Sequence, residues 1–315
     1  MSKYRVVIDV ETSGLRPSVD RVLSLAAIVV GPDGTVVEEF SALFNPGVDP
    51  GPVHVHGLTP ARLAGHARFA DRAEEVARIL GGHTVVAHNA LFDISFLTAE
   101  FERAGVEWPC TDYLCTLDLA GRLHLSTMDL KLGTLAGHFG VAQSAAHDAY
   151  DDAVVLAGVL GRMLATAEQK SVEPTARLFA DLVPDPHTGM LRSRRWAEAV
   201  AVSREWRPAP RYRGGGPLVQ GMEIVFTQDV DVDPDEVAGK LVAAGLYVAD
   251  RISGRTSLAV CDSPGAVRGR AAFARKKGLE LVTTARLLEL LEMVSPGRPL
   301  APAGRQVDEG QESLF

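Results

Sequence analysis

Apolar residues come in short blocks along the first fifty positions, which is the pattern of β-strands rather than of helices. Tyr4 to Val10 is rich in β-branched and aromatic residues and predicts a buried strand. Val22 to Val30 and Thr35 to Phe44 predict two further strands. The Gly-Pro-Asp-Gly turn at 31–34 between them is typical of a hairpin. The chain therefore opens with a predicted antiparallel meander of three strands.

The apolar spacing becomes helical after this meander. Arg62 to Leu80 predicts one helix that ends at a glycine pair. Thr84 to Ala87 predicts a short buried strand, and a helix follows it to about Ala104. The remaining predictions up to residue 166 are a strand leading into a short helix over 111–122, a helix over 130–140 and a last helix over 147–164.

Acidic side chains lie at the ends of three of these elements. Asp9 and Glu11 project from the same face of the first strand, because side chains alternate along a strand. Asp93 lies near the start of one helix, and Asp152 lies with His147 at the start of another. Two carboxylates in an apolar strand repel each other unless a cation lies between them, which favours Mg²⁺ or Mn²⁺. A hydrated strand end and helix-capping acids remain the alternatives.

These groups together indicate a specific chemistry. Two divalent ions about 4 Å apart can clamp the attacking and leaving oxygens of a phosphodiester, and they need roughly this number of carboxylates. A neighbouring histidine can take the proton from the attacking water. If the three acidic sites converge on one pocket, the pattern predicts metal-dependent phosphodiester hydrolysis.

Composition narrows the class of protein. The 315 residues are 46% hydrophobic and 23% charged, an ordinary globular mixture for about two domains. The net charge of −8 argues against a protein that coats nucleic acid, but not against an enzyme that acts on nucleic acid through metals. Three cysteines without a C-x-x-C pair, no signal segment and no membrane-length apolar run predict a soluble, cytoplasmic protein.

A histidine pair lies in the loop at 53–60. His54 and His56 could ligate zinc, but no cysteine or acidic residue lies within a few positions of them. We therefore favour a substrate-facing loop over a zinc site.

Four motifs resemble those of the DEDDh 3′→5′ exonuclease family. The segments that begin at Asp9 (DVETSGL), His88 (HNALFD) and His147 (HDAYDDA) resemble the three main motifs, and HGLT from His56 resembles a secondary signature. The resemblance covers residues 1–166 in the expected order and spacing. The nearest group is the proofreading epsilon subunit of bacterial DNA polymerase III and its relatives. Ser13 stands where a second threonine is common.

The resemblance implies a ribonuclease H-like α/β fold with a mixed sheet and two bound divalent ions, Mg²⁺ or Mn²⁺. His147 is implied as the general base, and Asp151 is the alternative to Asp152 because it lies one position away. The implied metal ligands are Asp9, Glu11, Asp93 and Asp152. The implied substrate contacts are Thr12, Leu15, His56, Asn89 and Phe92.

Residues 167–216 predict a helical and basic linker. Helical spacing covers 173–183 and 194–205, and 207–216 is rich in arginine, proline and glycine. Arginines interleaved with Trp196, Trp206 and Tyr212 could grip phosphates and stack on bases. We favour the alternative, in which the tryptophans dock a helical pair on the first domain.

Residues 217–295 alternate strands and helices in the order β-α-β-β-α-β-α, which predicts a small, mostly parallel sheet. This order resembles that of a BRCT domain, although the tryptophan that is common in the last helix is absent. Some such domains bind phosphate. Thr227 and Arg270 fall near two of the phosphate-binding positions, but Gln228 replaces the expected glycine. A module that moors the chain to DNA or to a repair or replication protein is the broader expectation.

The tail at 296–315 is rich in proline, glycine and alanine and is expected to be disordered. Its last residues resemble the peptide by which bacterial proteins bind the sliding clamp. Large apolar residues at the tip of a solvated tail favour burial by a partner. The residues expected to bind that partner are Gln311, Leu314 and Phe315.

The sequence thus predicts a 3′→5′ exodeoxyribonuclease that releases nucleoside 5′-monophosphates from single-stranded or frayed DNA 3′ ends, in proofreading or repair. One alternative is an enzyme with the same chemistry that degrades RNA or oligonucleotides, because pocket geometry decides the choice of sugar. Another alternative is a non-catalytic adaptor linked to the clamp.

Overall fold

The structure, a computed structural model, describes residues 4–144, 147–227, 230, 234–262, 265 and 269–300. Two sheets organise these residues: a six-stranded sheet in the N-terminal half and a four-stranded sheet near the C-terminus. A small two-stranded hairpin lies between them in the chain. The expected peptide at Gln311, Leu314 and Phe315 lies outside the described residues.

The six-stranded sheet has the order β3-β2-β1-β4-β5-β6. β1, β4 and β5 are parallel, and β1-β2, β2-β3 and β5-β6 are antiparallel pairs. The predicted opening meander and the mixed sheet are confirmed. The strands are β1 Arg5–Thr12, β2 Val22–Val30, β3 Val36–Leu43, β4 Thr84–Ala87, β5 Asp112–Cys115 and β6 Arg177–Leu178.

Helices cover both faces of this sheet, which makes all nine residues of β2 buried. Val6, Ile8 and Val10 of β1 face a core shared with α3 and α4, while Val7 faces a core shared with α5, α6 and α7. No helix among the described residues is long and apolar enough to cross a membrane. The helices are α1 Val53–His56, α2 Pro60–Leu63, α3 Phe69–Leu80, α4 Leu91–Ala104, α5 Thr116–Arg122, α6 Leu132–Phe139 and α7 Ala149–Gln169.

One predicted helix is wrong in this half. The segment from Arg62 to Leu80 is broken, because α2 ends at Leu63 and α3 begins only at Phe69. The side chain of Asp71 accepts a hydrogen bond from the backbone N–H of Arg68 at 3.0 Å, which caps the new helix start. The loop predicted at 53–60 contains the single helical turn α1.

The segment after α7 also differs from the prediction of a helix over 173–183. Residues 177–178 form β6 on the edge of β5, a turn of 3₁₀ helix follows at Phe179–Asp181, and the chain then makes a hairpin. Edge pairing with β5 satisfies backbone groups that a helix would otherwise have to pair internally. The next helix begins at Arg194 as predicted but ends at Ala201. The hairpin strands are β7 Leu182–Pro184 and β8 Leu191–Ser193, and the helix is α8 Arg194–Ala201.

The second sheet has the order β10-β9-β11-β12, and all of its pairs are parallel. The predicted parallel sheet and element order are confirmed. We call this sheet and its helices the C-terminal unit. The strands are β9 Glu223–Phe226, β10 Tyr247–Val248, β11 Thr256–Val260 and β12 Glu280–Val282, and the helices are α9 Pro234–Ala243, α10 Gly269–Lys276 and α11 Thr284–Leu291.

The basic segment 207–216 packs on the C-terminal unit instead of extending freely. Tyr212 is buried in its core, and the Tyr212 N–H donates to the carbonyl of Ser257 at 3.0 Å. Trp196 meets Phe226 of the same core edge to face, with ring centroids 5.9 Å apart. The expectation that Trp196 docks on the N-terminal half is therefore wrong, because the nearest apolar surface belongs to β9.

The β7–β8 hairpin, in contrast, packs on the N-terminal half. The N–H of Ser18 donates to the carbonyl of Thr188 at 3.1 Å, and the N–H of Leu191 donates to Ser95 Oγ at 2.7 Å. Leu191 is buried in the core between the sheet and α4. The hairpin tip therefore supports the loop that carries Ser18.

Gly189 provides a test of this close packing. Its φ is +77°, and a Cβ there would lie 2.8 Å from the backbone nitrogen of Ser18. Gly215 has a similar φ of +72°, but a Cβ there would meet no atom within 4 Å. We expect Gly215→Ala to cost about 1 kcal/mol through the left-handed backbone alone. Gly189→Ala should cost at least about 1 kcal/mol more, because the hairpin must move. Urea unfolding measures both, and equal losses would contradict the contact.

Candidate active site

The site forms where β1 extends past its parallel neighbour. Arg5 to Val7 of β1 pair with Thr84 to Val86 of β4, but the end of β1 has no partner strand on that side. After β4 the chain turns through Asn89, at φ 69°, and enters α4. Asparagine tolerates this left-handed conformation better than most residues. The carboxyl end of β1 is thus left open to side chains from α4 and α7.

Asp93 fills part of this gap. It lies in the first turn of α4 and is almost completely buried. Its Oδ1 accepts a hydrogen bond at 3.1 Å from the N–H of Val10. This N–H lies beyond the part of β1 that pairs with β4. The carboxylate therefore satisfies a backbone donor and lies beside Asp9 and Glu11.

Asp9 and Glu11 point toward α7. They share a face with Val7, whose side chain packs against that helix. Oxygen atoms of Glu11 and Asp152 and a ring nitrogen of His147 lie within 4.8 Å of one another. This is the metal-competent group of histidine, cysteine and acidic side chains found within the described ranges. The prediction that motifs distant in sequence converge agrees with this placement.

Two hydrogen bonds fix the carboxylate of Asp152. Gln143 Nε2 donates to Oδ1 at 2.7 Å, and the backbone N–H of His147 donates to Oδ2 at 3.0 Å. His147 has a φ of 65°, which turns the chain immediately before α7. Sequence reasoning missed Gln143, because a single glutamine in a loop nine positions away carries no pattern.

The neighbouring acids Asp148 and Asp151 have other roles. Asp148 caps α7 by accepting from the N–H groups of Tyr150 and Asp151. Asp151 accepts from the N–H of Ser144 at 3.1 Å. Asp152, and not Asp151, therefore lies in the group with Glu11 and His147.

The pKa values of the four clustered carboxyl groups are all raised. Burial, followed by repulsion from Asp93, Asp152 and Glu11, holds the pKa of Asp9 well above its usual range. Burial, followed by repulsion from Asp152, Asp93 and Asp148, raises the pKa of Glu11 from 4.5 to about 8, and burial raises the pKa of Asp93 to about 7. Burial also raises the pKa of Asp152. Such an acid cluster holds protons at neutral pH unless a cation replaces them.

This donor set fits divalent metal ions. It offers hard carboxylate oxygens and one imidazole, which suit Mg²⁺ or Mn²⁺ better than softer metals. Asp9, Glu11, Asp93 and Asp152 are the side chains that would hold them. The histidine pair in the loop does not fit zinc, because both ring nitrogens of His56 have partners: the carbonyl of Pro50 at 3.2 Å and the N–H of Leu58 at 3.0 Å.

The loop after β1 presents Leu15 to solvent. Leu15 is 75% exposed, whereas Thr12 is buried and its Oγ1 donates to the carbonyl of Gly14 at 2.7 Å. A Cβ on Gly14 would lie 2.4 Å from the carboxylate of Asp20, so a larger residue there would displace this carboxylate from the N–H of Arg16, its partner at 2.8 Å. An exposed leucine on a tightly folded loop is suited to contact a ligand at the mouth of the site.

A buried ion pair holds this loop. Arg21 donates to both oxygens of Glu100 at 2.6 and 2.9 Å, and Glu100 is almost fully buried in α4. Arg21 also exchanges two hydrogen bonds with Ser13, one through its N–H and one through its carbonyl. The helix that carries Asp93 thus also holds the base of the Leu15 loop. Sequence analysis missed this pair, because the two residues lie 79 positions apart.

The remaining expected substrate contacts differ in exposure. Asn89 is exposed, and Phe92 is half-buried against Phe96 with ring centroids 5.0 Å apart. His56 is buried and braces its own loop through the two contacts given above. The roles of these residues and of Thr12 and Leu15 in substrate binding stay predictions.

The raised pKa of Glu11 predicts a stability that depends on pH in chelator-treated protein. Between pH 4.5 and about 8 the unfolded chain has lost this proton and the folded chain retains it. Unfolding then releases a proton, so stability falls as pH rises through that window. Glu11→Gln removes this loss, and we expect its Tm to exceed that of the wild type by about 2–4 °C at pH 8.

Thermal unfolding at pH 5 and pH 8 measures this difference. Glu74→Gln on the exposed face of α3 is the matched control and should leave the wild-type pH dependence in place. Added Mg²⁺ or Mn²⁺ should raise the Tm of the wild type more at pH 8 than at pH 5, because its ligands must be deprotonated. A wild-type Tm that rises with pH in chelator would contradict the assigned cluster.

The N-terminal half of the chain is similar in sequence to known exonucleases. The sequence model of the family described as "Exonuclease" matches residues 6–160. The epsilon subunit of DNA polymerase III from Treponema pallidum is 30% identical over 161 residues, which cover 50% of this chain and 74% of that protein. The 3′-5′ exonuclease DinG of Bacillus subtilis is 33% identical over 160 residues, which cover 49% of this chain and 17% of that protein.

A solved structure, exonuclease X in complex with 5′ overhanging duplex DNA, is 25% identical, covers 52% of this chain and 93% of that chain, and superposes with a TM-score of 0.43. Most of the curated relatives are much longer, and the chain spans between 10% and 28% of their length. The residues that match the family model, 6–160, form the α/β domain that contains the acidic cluster. The chain also covers 74% of the epsilon subunit. The chain belongs to the exonuclease family.

Proposed function

We propose that this protein is a two-metal 3′→5′ exonuclease that removes nucleoside 5′-monophosphates from DNA 3′ ends, in proofreading or repair. The observation that carries the proposal is the convergence of Glu11, Asp152 and His147 within 4.8 Å beside the buried Asp93. Four carboxylates and one imidazole at the carboxyl end of a central strand are what metal-assisted phosphodiester hydrolysis requires.

The acidic residues provide the metal ligands. Asp9, Glu11, Asp93 and Asp152 are the residues that would hold the two ions. The bound ions would supply a more acidic water and charge stabilisation for the phosphoryl oxygens. Gln143 orients Asp152 by its 2.7 Å hydrogen bond, and Val10 N–H orients Asp93. Both carboxylates are thus held in place before any ligand arrives.

His147 is the proposed general base. Its side chain is exposed, and its backbone is fixed through the N–H donated to Asp152. A ring nitrogen that lies beside two metal-binding carboxylates can accept the proton of the attacking water. Leu15 on its rigid loop is proposed to pack against the terminal base, with Asn89 and Phe92 along the same cleft.

DNA is the proposed substrate because of the relatives that share the N-terminal half. Their names include the epsilon subunit of DNA polymerase III and several DNA polymerase III enzymes of the PolC type. A non-catalytic adaptor is less consistent with the site, since every acid of the family motifs is present and clustered.

The C-terminal unit is proposed to be a BRCT-like docking module. Its four parallel strands and its helices follow the expected β-α-β-β-α-β-α order. A phosphate site at its two candidate side chains has little support. Thr227 Oγ1 donates to the carbonyl of Val260 at 3.0 Å, and Arg270 donates to the carbonyl of Phe226 at 3.0 Å. We therefore propose docking without assigning it to these residues.

The chain terminus is proposed to bind a sliding clamp through Gln311, Leu314 and Phe315. Two large apolar residues at the end of a polar segment support this proposal. A tether of this type raises the local concentration of an enzyme at its substrate without changing its active site.

Digestion of 5′-labelled single strands tests the enzyme proposal. With Mg²⁺ or Mn²⁺, purified protein should produce a ladder that shortens from the 3′ end, faster on DNA than on matched RNA. Asp9→Ala should lower the rate at least about 100-fold, because it removes one of the four proposed metal ligands. Asp49→Ala, which changes an exposed acid in a loop, is the charge-matched control and should retain activity. Unchanged activity of Asp9→Ala would place the site elsewhere, and a faster rate on RNA would overturn the DNA assignment.

Removal of residues 311–315 tests the tail separately. The truncated protein should degrade short oligonucleotides at the wild-type rate but should no longer be retained by immobilised sliding clamp. Replacement of Glu312 and Ser313 by alanine, which keeps the three proposed contact residues, should leave retention in place. Retention of the truncated protein would refute the assignment of the tail.

A further inference from the structure

Cations gather at one place on the C-terminal unit although the whole chain carries a net charge of −8. Two of them come from the basic segment after α8, and three come from the end of α10 and the residue that follows it. All five side chains belong to exposed residues. We call this group the basic surface, and its members are Arg211, Arg213, Arg275, Lys276 and Lys277.

A specific contact brings the two segments together. Arg211 Nη1 donates to the carbonyl of Lys277 at 2.7 Å, immediately after α10. Between the two arginines, Tyr212 is buried in the core and its N–H pairs with the carbonyl of Ser257 at 3.0 Å. The segment is therefore anchored through Tyr212. The residues on either side of it, Arg211 and Arg213, are both exposed to solvent.

Three of these five cations have no acidic partner among the described residues. Across the described residues, Arg213, Lys276 and Lys277 form no ion pair, while other cations of the unit do, such as Arg286 with Glu289 at 2.7 Å. Glu280 is an acidic residue at the edge of the basic surface. Its carboxylate lies 3.4 Å from the position that a Cβ on Gly214 would occupy, next to Arg213 in the chain. Cations at the C-terminal end of a helix interact favourably with the helix dipole. This accounts for the three cations at the end of α10 and immediately after it.

The helix dipole does not account for the arginines of the other segment. Placing Arg211 and Arg213 beside Lys276 and Lys277 adds like-charge repulsion, which an external anion would relieve. Phe273, which is 46% exposed, has the Lys277 ammonium 5.4 Å from its ring centroid. That ring is thus already covered by a cation, and the surface offers charge for phosphates rather than a stacking platform for bases.

We propose that the basic surface binds the phosphate backbone of duplex nucleic acid, away from the acidic active site. The choice of nucleic acid as the anion rests on the proposed function. Duplex nucleic acid carries about one negative charge per 1.7 Å of helix axis, a density that several adjacent cations can neutralise together. The surface would hold the double-stranded part of a substrate while the N-terminal half acts on its 3′ end.

The test uses a covalently closed duplex dumbbell, which has no 3′ end to enter the active site. Binding of the full chain to the internally labelled dumbbell is measured by fluorescence anisotropy in chelator over a series of salt concentrations. The test variant combines Arg213→Ala, Lys276→Ala and Lys277→Ala and keeps Arg211, whose hydrogen bond holds the segment. The control combines Lys240→Ala, Arg251→Ala and Arg255→Ala, which removes the same charge from other exposed positions of the unit.

We expect the test variant to bind at least about 10-fold more weakly in low salt, and the slope of log Kd against log salt to fall by about 2 to 3. The control variant should stay within about 3-fold of the wild type. Equal weakening in both variants would show that only the overall charge matters and would overturn the proposal. Competition by polyglutamate as effective as that by duplex DNA would also overturn it, in favour of an acidic protein partner.

The outcome is independent of the exonuclease. Dumbbell binding in chelator requires neither a 3′ end nor metal, whereas the 5′-labelled ladder requires both. If the ladder fails and the dumbbell still binds through the basic surface, only the proposed activity is wrong. If the ladder succeeds and both triple variants bind the dumbbell like the wild type, only the surface is wrong.

Discussion

Repulsion among buried carboxylates is the constraint on which this structure depends. Burial raises the pKa of both Asp9 and Asp93, and repulsion from Asp93, Asp152 and Glu11 raises the pKa of Asp9 further. Burial of the acids lowers the free energy of unfolding. The apolar residues of β1, which pack in two cores on opposite faces of the sheet, offset this loss. Bound cations would relieve this repulsion, which supports the proposal that these carboxylates hold metal ions.

The supports around this site extend beyond the segment that the family model matches. Glu100 holds Arg21 and, through it, the base of the Leu15 loop. The β7–β8 hairpin, which follows the matched residues 6–160, holds the same loop at Ser18. The next residues connect to the C-terminal unit, since Arg192 lies 3.4 Å from a carboxylate oxygen of Asp250. The Leu15 loop is therefore linked to the second sheet through the β7–β8 hairpin.

The sequence predicted the parts of this molecule that periodicity and local chemistry specify. The strands β1 and β2, the parallel C-terminal sheet and the approach of three acidic motifs to one strand end all follow from patterns within short windows. The helix expected over 173–183 failed because pairing with the edge of β5, a distant element, decided its conformation. Gln143 and Glu100 could not be found, since their roles depend on contacts made only in the folded chain.

Charged residues are distributed unevenly between the two halves of the chain. Residues 1–166 carry 12 basic and 20 acidic side chains, so this half would repel the proposed polyanionic substrate at long range. Metal ions reverse that field only locally, within a few ångströms of the carboxylates, because salt screens the remainder. An exonuclease built in this way benefits from cations outside the cleft that attract the phosphate backbone. The five cations of the basic surface belong to the C-terminal unit, and so to a different part of the chain from the proposed metal ligands.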